Sequence, residues 1–316
     1  MSRFHVSVIG AGNVGSATVA ALAASPLPLR IVLLDRTRGK AEGRCWDAED
    51  ALALSADHEM LATDDYADLA GSDVVIVTAG SRNLPGESRL ALLGRNATNA
   101  AEIVERLDVA APDAVIIMVS NPVDVLTRIA LERSRRDPRL IFGSGTLLDT
   151  VRLRLQMARA FRVGVSEVDA MVIGEHGRTA VPVWSRATVR GVPVLASTTA
   201  AERDACMGAA LGRYDAILSR KGCTDTAIAA CLARIVRSMV VDDGEIHPVS
   251  VRPKPQYGIA TSVALGLPCS VGREGIRAQH VLPLADEERF ALGLSAATLL
   301  TNYENAFGHE LQPLPA

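Results

Sequence analysis

Five short apolar runs in the first half of the chain limit its fold more than any other feature. They are FHVSVI (4–9), LRIVLL (29–34), DVVIVT (73–78), AVIIMV (114–119) and LIFG (140–143). The central ones are apolar at nearly every position, as strands covered on both faces are. Helix-like segments lie between them: NVGSATVAALAA (13–24), ESRLALLGRNATNAAEIVERL (87–107) and PVDVLTRIALERS (122–134). This alternation predicts an α/β fold with a doubly wound parallel sheet and right-handed crossovers.

The second half has a different rhythm. Long helical patterns (146–161, 224–240, 286–305) mix with runs at 247–252 and 261–272 that read as antiparallel strands. We therefore expect two domains, 1–144 and 145–316, meeting at GSGT, the second an α+β catalytic domain. The stretch 196–220 suggests no role.

Composition narrows the function classes. The 33 basic and 36 acidic residues are scattered and the net charge is −3, so no basic stripe points to nucleic acid. No apolar run has the length of a membrane span, and the first residues enter a strand without a signal-like segment. A cytoplasmic protein with no nucleic-acid or membrane partner is expected. The five cysteines, Cys45, Cys206, Cys223, Cys231 and Cys269, form no CxxC pair, which favours reduced thiols and no metal site.

VIGAGNVGSA (8–17) sets Gly10, Gly12 and Gly15 between the first strand and the first helix. The first glycine permits the turn, the second lets backbone approach a pyrophosphate, and the third lets helix and strand pack closely. The helix N-terminus then faces the phosphates. Asp35 follows Gly15 by twenty residues at the end of a strand, where a carboxylate takes ribose hydroxyls. The context predicts a Rossmann-type dinucleotide site and favours NAD. Arg36 and Arg38 leave a 2′-phosphate, and so NADP, as the alternative. Thr78 and Gly80, in TAG, end a later strand at the same edge of the sheet.

Three further stretches carry candidate chemistry. His176 sits in GEHG behind the apolar run VDAMVI, where it is either an acid/base or the end of a buried strand. Asp149 and Arg152 are three apart on one helix face, as a surface ion pair of at most about 1 kcal/mol or as a histidine-orienting carboxylate beside an anion anchor. SRNLPGESRL (81–90) reads as a loop with a solvated arginine, or as a lid that carries Arg89.

Together these motifs resemble the L-lactate/malate dehydrogenases, and within them the L-lactate dehydrogenase branch of the L-2-hydroxy acid dehydrogenases. GAGNVGSA, TAG, PGESRL, SNPVDVLT, GSGTLLDTVRLR, IGEHG, VPVWS, KGCTDTAIA and HPVSV occur in order over nearly the whole length. The resemblance implies hydride transfer between NAD and a small 2-oxo or 2-hydroxy acid. His176 would be the acid/base, oriented by Asp149. Arg152 would bind the substrate carboxylate, and Arg89 with Asn121 would polarise the C2 carbonyl. Thr224 would line the side-chain pocket. Val14, Asp35, Thr78, Gly80, Ser81, Val119, Asn121 and Ser144 would lie along the cofactor with the three glycines. A homotetramer, or a dimer, is implied.

Three positions depart from the family pattern. Asn83 stands six before the lid arginine, where lactate enzymes resemble one another in having glutamine and malate enzymes have arginine. An uncharged, shorter side chain disfavours oxaloacetate and leaves room for a longer 2-oxo acid. Arg82 and Arg178 keep a malate-type or other specialised reductase open, and an impaired NAD(H)-binding paralogue is the third alternative. Arg178 replaces the usual acid after GEHG; near His176 it would lower the imidazole pKa. Arg154 matches an arginine that holds fructose 1,6-bisphosphate in many bacterial relatives, but Asp169 stands where they have histidine. The carboxylate would repel phosphate, so activation is not expected.

Overall fold

A computed structural model describes residues 3–52, 57–81, 89–259 and 262–307. Six parallel strands form its first half: β1 (Phe4–Ile9), β2 (Leu29–Leu34), β3 (Glu59–Thr63), β4 (Val74–Val77), β5 (Val115–Met118) and β6 (Ile141–Gly143). Their order is β3-β2-β1-β4-β5-β6. This is the doubly wound arrangement, with its switch point between β1 and β4. Every residue of β1, β4 and β5 is buried, which explains why these strands read as unbroken apolar runs. Helices α1 (Asn13–Ala23), α2 (Arg38–Leu52), α3 (Arg89–Ala110) and α4 (Val123–Arg133) connect them.

Two of these elements escaped the sequence reading. β3 is an edge strand, mostly half-exposed, so EMLAT lacks the apolar signature of its neighbours. Among its described side chains, the α2 helix buries a narrow strip, Ala41, Cys45 and Ala48, at helical spacing.

The second half begins with α5 (Leu147–Phe161) and five two-residue strands, β7 (Val168–Asp169), β8 (Val172–Ile173), β9 (Val181–Pro182), β10 (Thr188–Val189) and β11 (Val192–Pro193). Helices α6 (Val194–Ser197), α7 (Ala200–Lys221) and α8 (Thr226–Val241) follow, then β12 (Ile246–Val251), β13 (Leu265–Gly272), β14 (Gly275–Gln279) and α9 (Asp286–Phe307). The unassigned stretch 196–220 is thus mostly α7. A reciprocal cap between Thr199 and Glu202 starts this helix, and Gly222, with φ +77°, ends it.

The antiparallel strands β12, β13 and β14 do not make a sheet of their own. They extend the parallel sheet through β6, where Ser250 pairs with Gly143, so nine described strands form one sheet. The main core is likewise shared: Val8, Ile76 and Ile117 belong to the same cluster as Leu232, Ile235 and Leu267. A smaller core, with Leu153, Met157, Val172 and Met207, lies under α5 and α7. The common sheet joins the β6 edge firmly to the elements that carry the histidine.

Candidate active site

The glycine turn divides its labour among three positions. Gly10 has φ +104°, and a Cβ there would lie 2.9 Å from the Ala79 nitrogen. A Cβ on Gly15 would lie 1.8 Å from the Gly10 carbonyl oxygen, so α1 rests directly on the turn. Around Gly12 nothing lies within 4 Å of such a Cβ, and no side chain caps the α1 N-terminus that Gly12 begins. The open side of the turn therefore presents free backbone N–H groups at a positive helix end.

Asp35 is anchored beside this turn. Its carboxylate accepts hydrogen bonds from the Ala11 N–H at 2.8 Å and the Thr37 N–H at 3.1 Å, and it pairs with Lys40 at 3.2 Å. Burial alone would raise its pKa; the two N–H bonds and Lys40 outweigh that and hold it below the ordinary value. Arg38 is engaged with Glu42 at 3.0 Å and Asp64 at 3.8 Å. An ionised carboxylate beside an open glycine turn fits the dinucleotide NAD.

Of the other residues expected along the cofactor, Val14 lies in the first turn of α1 and the rest follow the ends of β4, β5 and β6. Val14 packs half-buried on the core. The Thr78 hydroxyl donates to the Ile9 and Gly10 carbonyls, each at 3.0 Å, so it braces the turn from within. A Cβ on Gly80 would meet the Ser120 hydroxyl at 3.0 Å. Val119 and Ser144 are buried after β5 and β6, whereas Asn121 is exposed at the rim.

Asn96, which the sequence reading did not single out, ties two of these loops together. Its Oδ1 accepts the Ser81 N–H at 2.8 Å and its Nδ2 donates to the Asn121 carbonyl at 3.1 Å. The signal was available: Asn96 is buried on the same α3 stripe as Leu93, Ala100, Val104 and Leu107. A buried asparagine needs partners.

The second set of side chains converges from the other half. After β8 the chain turns at Gly174, with φ +87°, where a Cβ would lie 2.7 Å from the Ser295 hydroxyl. Gly174 and Gly266 exchange two backbone hydrogen bonds at 2.8 Å, which fastens this turn to β13. His176 follows. Its Nδ1 is 2.6 Å from Asp149 Oδ2. Its backbone N–H donates to Asp124 Oδ2 at 2.7 Å.

Asp149 and Arg152 are not a surface pair. Their side chains are 7% and 9% exposed, and their nearest charged atoms stand 3.8 Å apart. Arg152 makes no hydrogen bond to another described residue, so a buried guanidinium fork stands beside the imidazole. Burial is the main influence lowering its pKa, against the charge of Asp149. The His176 side chain is 22% exposed. Burial would lower its pKa, and so would Arg152. The charge and hydrogen bond of Asp149, helped by Asp124, prevail and raise it above 6.5. Arg178 is exposed, and the leading influences on the ring are burial, Asp149, Asp124 and Arg152.

The α8 helix closes this side. Cys231 on α8 is buried near Asp149 and Arg152, and burial pushes its thiol up to about 12. Thr224 lies half-buried in the link before α8. Arg89 is the first residue of α3, at the end of the segment 82–88. Asn83 and Arg82, the positions on which substrate choice was argued, lie outside the described residues. Among the described residues no group of three or more His, Cys, Asp or Glu is arranged to hold a metal, and no helix is long and apolar enough to cross a membrane.

A doubly wound sheet with an open glycine turn, continuous with the strand that fastens a buried histidine–aspartate–arginine cluster, points to a dinucleotide-dependent oxidoreductase. Comparison with known proteins agrees. Residues 4–143 match the model for the lactate/malate dehydrogenase NAD binding domain, and residues 146–310 match that for the lactate/malate dehydrogenase alpha/beta C-terminal domain. The chain is 41% identical over 306 residues to an L-lactate dehydrogenase of Salinibacter ruber, covering 95% of this chain and 96% of that protein. It is 38% identical over 302 residues to one of Moorella thermoacetica, covering 93% and 95%. A lactate dehydrogenase from a Medee basin deep-sea metagenome library, known from its crystal structure, superposes with a TM-score of 0.92 at 30% identity, covering 97% of this chain and 99% of that one. The chain belongs to the lactate/malate dehydrogenase family. It is an NAD-dependent oxidoreductase of that family.

Proposed function

We propose that this protein interconverts pyruvate and L-lactate, with His176 as the proton carrier. One observation carries the reading: a buried carboxylate holds Nδ1 of His176 at 2.6 Å while a buried guanidinium stands beside that carboxylate. Bound NADH supplies the hydride to C2 of the oxo acid.

The chain's own residues do the rest. Arg152 takes the substrate carboxylate in a two-pronged grip, which directs C2 toward the imidazole. Asp149 accepts from Nδ1–H, so the proton moves at Nε2. In reduction the imidazolium gives that proton to the oxygen on C2 as the C–O bond gains negative charge, and the neutral ring recovers a proton from solvent. In oxidation the neutral ring takes the hydroxyl proton. Arg89 and Asn121 polarise the C2 carbonyl, where charge grows in the transition state. Thr224 lines the side-chain pocket. The glycine turn, Asp35, Val14 in the first turn of α1 and the strand-end residues Thr78, Gly80, Ser81, Val119 and Ser144 hold or shape the cofactor site. Intact ionic geometry at His176 argues against an impaired paralogue.

Asn83 supplies no charge for a second carboxylate, so oxaloacetate is a poor substrate. The NAD-binding part is 1–144 and the catalytic part 145–316, joined by the common sheet. The active form is a homotetramer, or a dimer, in the cytoplasm. Arg154 is held by Asp169 at 3.0 Å and donates to the Ala170 carbonyl at 2.7 Å. Fructose 1,6-bisphosphate therefore leaves the half-saturating pyruvate concentration unchanged.

NADH oxidation with pyruvate, 2-oxobutyrate and oxaloacetate tests the reading. We expect kcat/KM for the two monocarboxylates to exceed that for oxaloacetate. The reverse ranking would make this a malate-type reductase.

A further inference from the structure

Asp124 is the second residue of α4 and is 2% exposed. Its two oxygens serve different elements. Oδ2 accepts the His176 main-chain N–H at 2.7 Å, and Oδ1 accepts the Ser250 hydroxyl at 2.6 Å. Ser250 is itself fully buried on β12, paired through its backbone with Gly143 of β6. One carboxylate thus joins the start of α4, the histidine turn and the strand that links the two halves of the sheet.

We propose that Asp124 is a positioning residue for His176, fixing the backbone of the histidine turn so that the imidazole stays against Asp149. The inference rests on His176 being the proton carrier. The tether alone does not call for an acid. An asparagine would make both bonds, accepting from the His176 N–H and donating to Ser250, without burying a charge. Burial pushes the Asp124 pKa up to about 6, against the bonds from Ser250 and the His176 N–H. Keeping the carboxylate ionised there carries a desolvation cost. The α4 N-terminus offsets part of it. The imidazole is the titrating partner: Asp124 favours the protonated ring, and the ring favours the ionised Asp124. The other charged groups facing this pair are Asp149 and Arg152 from α5 and Glu175 from the histidine turn. Asp124 is therefore a second, weaker support for the imidazolium, on the backbone side of the ring.

The test separates charge from tether. Asp124→Asn keeps both hydrogen bonds. It should keep the parental Tm and NADH affinity, and near-parental pyruvate turnover at acidic pH. Its pyruvate kcat/KM should decline at a pH lower than the parent's, by roughly half a unit to one unit. Asp124→Ala loses the tether and should lower kcat about tenfold or more at every pH, with pyruvate KM little changed. If the alanine variant does not fold, Ser250→Ala, which removes one of the two supports, should show a smaller loss of kcat. His176→Asn is run alongside. Parental kcat in Asp124→Ala, or in Ser250→Ala where the alanine variant does not fold, with His176→Asn inactive, overturns this inference and leaves the proton carrier in place; an Asp124→Asn profile that superimposes on the parent overturns the charge support alone. Parental turnover in His176→Asn removes the proton-carrier reading, and the inference falls with it.

Discussion

The glycine turn and the histidine cluster are held by one continuous sheet but are built on opposite principles. The turn is backbone geometry. Gly10, Gly12, Gly15 and Asp35 lie within 26 residues, and their properties follow from missing Cβ atoms and a strand end. The cluster is side-chain electrostatics. Asp124, Asp149, Arg152, His176 and Ser250 come from α4, α5, the turn after β8 and β12. No local rule brings them together; the continuous sheet does. The comparison teaches that binding the dinucleotide and moving a proton should fail separately.

The largest separation is expected at His176. Replacing it with asparagine should reduce pyruvate turnover by roughly 10²–10⁴-fold, the range of general acid–base catalysis. NADH affinity, measured by fluorescence titration, should stay at the parental level. A loss of both together would mean that the two regions are not independent.

Next comes Arg152. Lysine keeps the charge and loses the fork. Losing one charge-assisted hydrogen bond costs about 1.5–3 kcal/mol, or roughly 10- to 150-fold in pyruvate kcat/KM. An unchanged kcat/KM in Arg152→Lys would show that the substrate carboxylate is held elsewhere.

The smallest effects sharpen the other side. A Cβ at Gly15 would lie 1.8 Å from the Gly10 carbonyl oxygen, whereas one at Gly12 meets nothing within 4 Å. Gly15→Ala should therefore lower Tm by several degrees, as about 1–3 kcal/mol of overpacking does. Gly12→Ala should leave Tm unchanged and weaken NADH binding. Equal loss of stability in both would contradict the division of labour among the glycines.

The same contrast explains what the sequence disclosed. The doubly wound order was readable because β1, β4 and β5 are buried on both faces and so are apolar throughout. β3 was not, because an edge strand may be polar, and the described side chains that α2 buries, Ala41, Cys45 and Ala48, are small. His176, Asp149 and Arg152 were nameable through motifs, but their burial and the 2.6 Å contact are products of the tertiary fold. Asn96 and Asp124 went unnoticed although each puts a polar group on a buried helical stripe. A polar residue in that phase is the signal worth seeking, since burial obliges it to have partners. The merging of β12 with β6 was illegible: antiparallel strands in the second half are equally compatible with a separate sheet.

The central claim is that Asp149 sustains the protonated imidazole of His176. The ring's pKa lies above 6.5 because Asp149 outweighs burial and Arg152. Its contribution to stability is complete below pH 6.5 and is lost as pH rises through the raised value. Pyruvate reduction needs the protonated form, so kcat/KM should persist above pH 6.5 and then decline. The pH dependence of pyruvate kcat/KM in Asp149→Asn, set against the parent, tests this most directly. The account predicts a decline displaced to lower pH and a reduced plateau; coincident profiles would contradict it.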